Sequence, residues 1–392
     1  MIGNTSVLAI TPAIAPAIAP FPQSSEKKML WAIAEIIGKA TQGEYYDHNS
    51  RQHRLLLLNY TPANFVKDAF ERLNGKFPNK KKIRQNRLRL LKDCSDIAAC
   101  AGKGALMVLD YFNKKIVEHS LENWCNKVRG RGEREKRVLA KERIIQWFDN
   151  NEDWDLSSLG LSSLPDIFHR MPNKFIKLNL ANNRLKELPP HLNLNMIGLN
   201  INNNNFEVLP EQIQSSRFLK SLEFSNNQLK SLPEWLINMG FLEEVNAESN
   251  QLKELPTQLP PNLNNFKIAR NKFEILPPQI QSLKNLRCLD CSFNQLKSLP
   301  ELGSLGCLEH IDAGNNQLES LPDALPPRMK IINFAKNAIK QIPLSYGTLR
   351  DLCQLNFCDN DIEDVPDEIY LLMLKKVQGQ PVLRLEGNLK KK

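Results

Sequence analysis

The chain has 392 residues, with 52 Lys and Arg against 43 Asp and Glu, for a net charge of +9. That length allows two or more domains, and no run of 18 apolar residues occurs, which excludes a transmembrane helix. Residues 1–150 hold 26 basic and 15 acidic side chains, or +11, whereas 151–392 hold 26 and 28, or −2. A basic N-terminal part and a near-neutral remainder predict two functional units. The eight Cys show no disulfide framework spacing, which suits a reducing compartment. Cys288 and Cys291 form a single CxxC with no second pair, and the pattern places Cys291 inward as a small apolar residue rather than a zinc ligand.

Residues 1–25 carry Ala-Ile-Ala-Pro twice within Pro12–Pro20 and lack a basic start, so they make a poor Sec signal. They read as a disordered leader, or as a secretion leader handled by a different machine. Residues 26–132 read as a basic helical domain. Trp31, Ile33, Ile36 and Ile37 begin an amphipathic segment, and Thr61-Pro62 caps another that carries Phe65, Val66, Ala69, Phe70 and Leu73. Ala105, Leu109, Phe112 and Ile116 mark one further helix, and Leu121, Trp124, Cys125 and Val128 the next. Between them and the second segment lies a basic run with Lys80, Lys81, Lys82, Arg84, Arg87 and Arg89. It has two readings: a solvated helix face with Ile83, Leu88, Leu90 and Leu91 turned inward, or a contact for nucleic acid or anionic membrane.

Gly130-Arg131-Gly132 is a break, succeeded by a charged helix over Glu133–Phe148 with Val138, Ile145 and Phe148 on one face. Residues 133–153 are expected to cap the repeats that begin at 154, because the first unit of a stacked array exposes its core edge.

From 154 to 392 one pattern, LxLxxNxLxxLP, recurs about ten times. Its clearest copy begins at Leu178 and ends at Pro189. The Asn recurs at Asn183, Asn204, Asn227, Asn250, Asn271, Asn294, Asn316, Asn337 and Asn360, at spacings of 21 to 23 residues. An opening copy, Trp154–Pro165, has Leu159 in place of the Asn. Self-similarity of this period and spacing predicts a leucine-rich-repeat horseshoe, an α/β solenoid with a parallel β-sheet on its concave face. The two apolar residues of LxL point inward, and the residues between them point out. The Asn is placed to satisfy backbone groups where the chain leaves the strand. Pro233–Gly240 predicts a convex helical turn, and the paired prolines in 256–261 and 322–327 predict an extended path. A helix from Asp367 to Lys376 and a strand over Val382–Leu385, then Asn388, are expected to close the array.

The outward positions of the sheet are Asn179, Asn200, Glu223, Asn246, Lys267, Asp290, Asp312, Asn333 and Asn356, flanked by Lys177, Glu244, Glu248 and His310. Acids concentrate between Glu223 and Asp312. A long polar face of this kind suits a protein surface, in particular a basic one, and lacks the apolar closure of a small-molecule pocket. No catalytic residue, metal ligand or cofactor is assigned. Gly102-Lys103-Gly104 is not a P-loop, and neither HExxH nor GxSxG occurs, although an enzyme within 26–130 stays open.

The helix over 133–148 and the copy Trp154-Asp155-Leu156-Ser157-Ser158-Leu159-Gly160-Leu161-Ser162-Ser163-Leu164-Pro165 resemble the start of bacterial leucine-rich-repeat effectors of the IpaH, SspH and YopM type. Those proteins have a Trp-bearing helical cap before an LDLSGLGLTSLP-like first repeat. The resemblance covers about 130–392. It implies a protein exported by a bacterium into a host cell, acting in the host cytoplasm, whose repeats bind host proteins; the bacterial cytoplasm and the host nucleus are the alternatives. Many relatives add a C-terminal ubiquitin-ligase domain with a Cys-x-Asp motif. This chain ends at Lys392 without it, and Cys94-Ser95-Asp96 precedes the repeats in too short a segment to supply it. The alternative functions are substrate recognition for a ligase-type activity, an activity of the N-terminal helices, and basic-patch binding.

Overall fold

The computed structural model describes residues 106–128, 130–147, 153–171, 175–192, 195–374 and 382–388. The expected leader, the basic run Lys80–Arg89 and Cys94 lie outside these residues. The chain divides into two compact units, Met1–His119 and Ser120–Lys392, of which the second carries the repeats.

Among the described residues, two helices precede the repeats. Helix α1 spans Leu106–Asn126 without interruption, so the two helices expected around Ala105–Ile116 and Leu121–Val128 are one. Neither Gly nor Pro interrupts these 21 residues. Helix α2 spans Arg131–Gln146 and starts from an extended Gly130, so it begins two residues before the expected Glu133 and takes in Gly132. Its buried face is Arg137, Ala140 and Ile144, continued by Trp147 just past its end, whereas Val138 is 39% exposed. The sequence expectation of a Val138-based face is therefore wrong. Arg137 takes the inner place because its two terminal nitrogens find acceptors there, although its buried Nε makes no hydrogen bond. It donates to the Trp124 carbonyl at 2.9 Å and to Ser163 Oγ at 3.1 Å, and stands 3.8 Å from Glu133. Its guanidinium also lies 4.7 Å from the centroid of the Trp124 ring.

The repeats build one eleven-stranded parallel sheet in which every strand lies beside its sequence neighbour. Its strands are β1 (Trp154–Asp155), β2 (Phe175–Asn179), β3 (Asn195–Asn200), β4 (Ser221–Glu223), β5 (Glu244–Asn246) and β6 (Asn265–Lys267). They continue as β7 (Cys288–Asp290), β8 (His310–Asp312), β9 (Ile331–Asn333), β10 (Gln354–Asn356) and β11 (Val382–Arg384). The central residue of each short strand from β4 to β10, such as Leu222, Phe266 or Ile311, is buried, and these residues are register partners from repeat to repeat. This stacking makes the core continuous, as in any solenoid.

Each Asn of the pattern acts as a three-way connector. Asn227 donates through Nδ2 to the Ile201 and Phe224 carbonyls at 3.0 Å, and its Oδ1 accepts from the Phe206 amide at 3.0 Å. The same bonds recur along the array, and Asn388 joins as a tenth member through Phe357 and Leu385. The residue before each ladder Asn is left-handed, with φ between 53° and 58° from Asn182 to Asp359. Left-handed backbone is what turns the chain off the strand, and it disfavours side chains with a branched Cβ.

On the opposite side, short 3-10 turns occur at Phe168–Arg170, Glu211–Ser215, Glu234–Asn238, Pro278–Ser282 and Leu344–Thr348. The turn within 233–240 matches expectation, and the segments 256–261 and 322–327 run without a helix, as their paired prolines predict. Helix α3 (Asp367–Leu374) and β11 close the array, with β11 parallel to β10.

Candidate functional site: the outward face of the sheet

Three rows of side chains line the outward face, one residue of each row per repeat. The first row opens each strand. It runs from Lys177 through Gly198, Ser221, Glu244, Asn265, Cys288 and His310 to Ile331 and Gln354. The second row is Asn179, Asn200, Glu223, Asn246, Lys267, Asp290, Asp312, Asn333 and Asn356, in the same register. Glu248 belongs to the third row, two residues beyond Asn246. The structure thus places the sheet-face residues expected from the sequence on one face, whereas the basic run Lys80–Arg89 lies outside the described residues.

It also shows that the second row has a local task. The side-chain oxygen of each Asn or Asp accepts from the backbone amide two residues on. Asn179 holds Ala181 at 3.1 Å, Asn246 holds Glu248 at 3.1 Å, and Asp290 holds Ser292 at 3.1 Å. Asp312 holds Gly314 at 2.9 Å, and Asn356 holds Cys358 at 3.1 Å. These Asx turns start the left-handed bend. One oxygen of each such residue is committed to the fold, and the remaining atoms of the amide or carboxylate face outward.

The two exceptions are Glu223 and Lys267. Glu223 is too long for the local turn. Its Oε2 accepts from Asn200 at 3.2 Å and from Asn202 at 2.8 Å, tying β4 to the preceding repeat. Lys267 stands beside Asp290 in register.

The acidic stretch is less uniform than its composition suggests. Glu248 faces Arg270, with Nε to Oε1 at 3.4 Å. The Arg270 guanidinium in turn lies 4.0 Å from the centroid of the Phe293 ring. Arg270 and Phe293 are both left-handed, at φ 54°, so the bend itself projects them outward. The charge that remains prominent is the pair Asp290 and Asp312, register partners on β7 and β8. Burial pushes the Asp312 carboxyl above its usual range, against the lowering effect of Asn333 and the Gly314 amide, with the Asp290 charge adding to the rise.

Cys288 opens β7 and is half-buried and outward, whereas Cys291, one residue past the end of β7, is fully buried. Burial pushes both thiols up. Residues three apart along extended backbone face opposite ways, so the two sulfurs are not aimed at one point.

Sequence reasoning missed an aromatic strip beside this face. Phe175, Phe218 and Phe241 are 61%, 44% and 54% exposed. Their rings run in sequence at centroid distances of 5.4 Å and 5.7 Å. The signal was present: Phe218-Leu219 and Phe241-Leu242 are the same dipeptide at the same place in consecutive repeats.

This architecture is a leucine-rich-repeat solenoid, and comparisons with known proteins agree. The family profile described as Leucine Rich repeats (2 copies) matches residues 284–327, and the Leucine Rich Repeat profile matches residues 218–239. A protein flightless-1 homolog of Caenorhabditis elegans is 32% identical over 107 residues, covering 24% of this chain and 8% of that protein. The chain therefore spans under a tenth of the length of this curated relative. Among solved structures, the leucine-rich effector protein YopM from Yersinia pestis superposes with a TM-score of 0.51 at 26% identity, covering 70% of this chain and 88% of YopM. An LRR protein of Leptospira interrogans superposes with a TM-score of 0.54 at 24% identity, covering 64% of this chain and 69% of that one.

Proposed function

We propose that this protein is a bacterial effector that enters a host cell and binds a host protein on the outward, concave face of its sheet. The observation that carries the reading is the face itself. Its first two rows are in register along the sheet and are mostly polar and half-buried, with the adjacent carboxylates Asp290 and Asp312 near the middle. Leucine-rich-repeat arrays generally serve as protein-interaction modules, and solenoids of this kind bind through extended concave surfaces. The carboxylate pair favours a partner with a basic surface. The effector role rests on the likeness to YopM in fold and identity, together with the sequence resemblance of residues 130–392 to that group of effectors.

The test is affinity capture from host-cell lysate with the full chain and with a variant carrying Glu244→Gln, Asp290→Asn and Asp312→Asn. These changes remove three charges and keep the oxygens that close the Asx turns at 290 and 312. A protein held by the native chain and at least tenfold depleted on the variant supports the reading. Equal retention on both overturns the assignment to this face.

A further inference from the structure

Two of the chain's six histidines converge on one carboxylate, away from the sheet face. Asp166 comes directly after Leu164-Pro165 of the first repeat, and His169 lies three residues on, in the 3-10 turn Phe168–Arg170. A 3-10 turn sets residues i and i+3 on the same side. His191 comes from the corresponding stretch of the next repeat, after Pro189-Pro190. Stacking of the first two repeats therefore brings His191 to a pair that precedes it by 22 residues or more.

Asp166 Oδ2 lies 2.9 Å from His191 Nδ1, and its Oδ1 lies 3.9 Å from His169 Nδ1. The two imidazoles meet edge to face, with centroids 5.5 Å apart. One donor atom from each of the three residues lies within 4.8 Å of the other two. A His–Asp hydrogen bond holds His191, from the second repeat, and the 3-10 turn sets His169 beside Asp166 in the first. The stacking of the two repeats thus gathers two imidazoles at one carboxylate.

Two imidazole nitrogens and one carboxylate oxygen form a donor set for borderline transition metals, not for calcium or magnesium, which take oxygen. Tetrahedral zinc, with bonds of about 2.0–2.2 Å, holds its donors roughly 3.3 Å from one another. The observed spread is wider than that. All three side chains are exposed, so rotation of the side chains is free to close it.

We propose that Asp166, His169 and His191 bind one zinc-class divalent ion that clips the convex loop of the first repeat to that of the second. Three protein ligands leave a fourth position for water. The ion would hold the end of the array that α2 caps, where the first repeat has a neighbour repeat on one side only. The clip closes a loop of about 25 residues and thereby restrains the unfolded chain as well.

The test uses the full chain, freed of metal by chelator dialysis, and zinc chloride as the probe. Isothermal titration at neutral pH compares the native protein with Asp166→Asn, His169→Gln, His191→Gln and the double histidine variant. Gln keeps a hydrogen-bonding side chain and removes the metal-binding nitrogen, so the fold is retained. Zinc bound by the remaining Cys and His is common to all the proteins and cancels. The native chain is expected to bind one more equivalent than the double variant, and each single variant to weaken that site at least tenfold. Zinc should raise the melting temperature of the native chain more than that of the double variant. Protons should compete for the site as the pH falls. Equal stoichiometry and affinity in the native chain and the double variant would overturn the proposal and leave a His–carboxylate hydrogen-bonded cluster only.

Discussion

The indole of Trp147 lies flat on that of Trp154, with ring centroids 4.8 Å apart and planes 3° from parallel. Trp147 comes just after α2 and Trp154 opens β1, so this stack is where the cap meets the sheet. Both rings are buried, at 6% and 1% exposure. Replacing Trp147 with Ala should cost about 3–5 kcal/mol, the usual range for a buried Trp. Because each repeat rests mainly on its neighbours, the loss should appear locally first. Hydrogen exchange should show β1 and β2 losing protection well before β7 and β8. Uniform loss across the array would contradict the capping role.

The Asn ladder supplies a second prediction. Asn227→Ala leaves the Phe206 amide without its acceptor, whereas the Ile201 and Phe224 carbonyls each lose one of two donors and keep Asn204 and Asn250. At about 1–3 kcal/mol for one buried unsatisfied group, the substitution should cost about that much. Asn227→Asp should be worse at neutral pH, since a carboxylate would face two carbonyl oxygens. Denaturant unfolding of the two variants checks the order.

Much of the fold was legible because one residue type alone serves the need. Only Asn combines two donors and an acceptor at the required reach, so nine of them in register announce the turn. The outward rows were legible from strand alternation. Their Asx turns were not read, because an Asn or Asp bonded to its own backbone looks, in sequence, like any polar surface residue. Arg137 was misplaced for a related reason: a guanidinium reads as solvent-facing until its partners Trp124, Glu133 and Ser163 are known. The meeting of Asp166, His169 and His191 depends on how two repeats stack, and their spacing matches no short metal-binding pattern.

The left-handed positions predict gains as well as losses. Lys336 sits at φ 57° before Asn337 and is exposed. Lys336→Asn should stabilise the protein by about 0.5–1 kcal/mol, because Asn adopts this backbone with less strain. Lys336→Val should destabilise it, since a branched Cβ tolerates the conformation poorly. Thermal melts that rank Val above Asn would show that this bend is not a constraint.

The Asp290–Asp312 pair gives a pH prediction. The folded-state value of Asp312 is raised, first by burial, so the native protein binds more protons than the unfolded chain in that window. Its contribution to stability therefore falls as pH rises from the ordinary carboxylate range through the raised folded value. Asp312→Asn lacks this contribution. Whatever the variant loses at its bond to Asn333, its stability relative to the native chain should improve between about pH 4 and pH 7. A difference independent of pH would mean that Asp312 titrates alike in both states.

The central claim is that the partner sits on the outward sheet face. The most direct measurement places a photo-crosslinking residue at Glu244, Asp290 or His310 on that face, and at Lys284 on the opposite side, in the full chain incubated with host-cell lysate. One shared crosslinked protein is predicted at the three sheet positions and none at Lys284. The same protein crosslinked from Lys284, with none from the sheet positions, would contradict the claim.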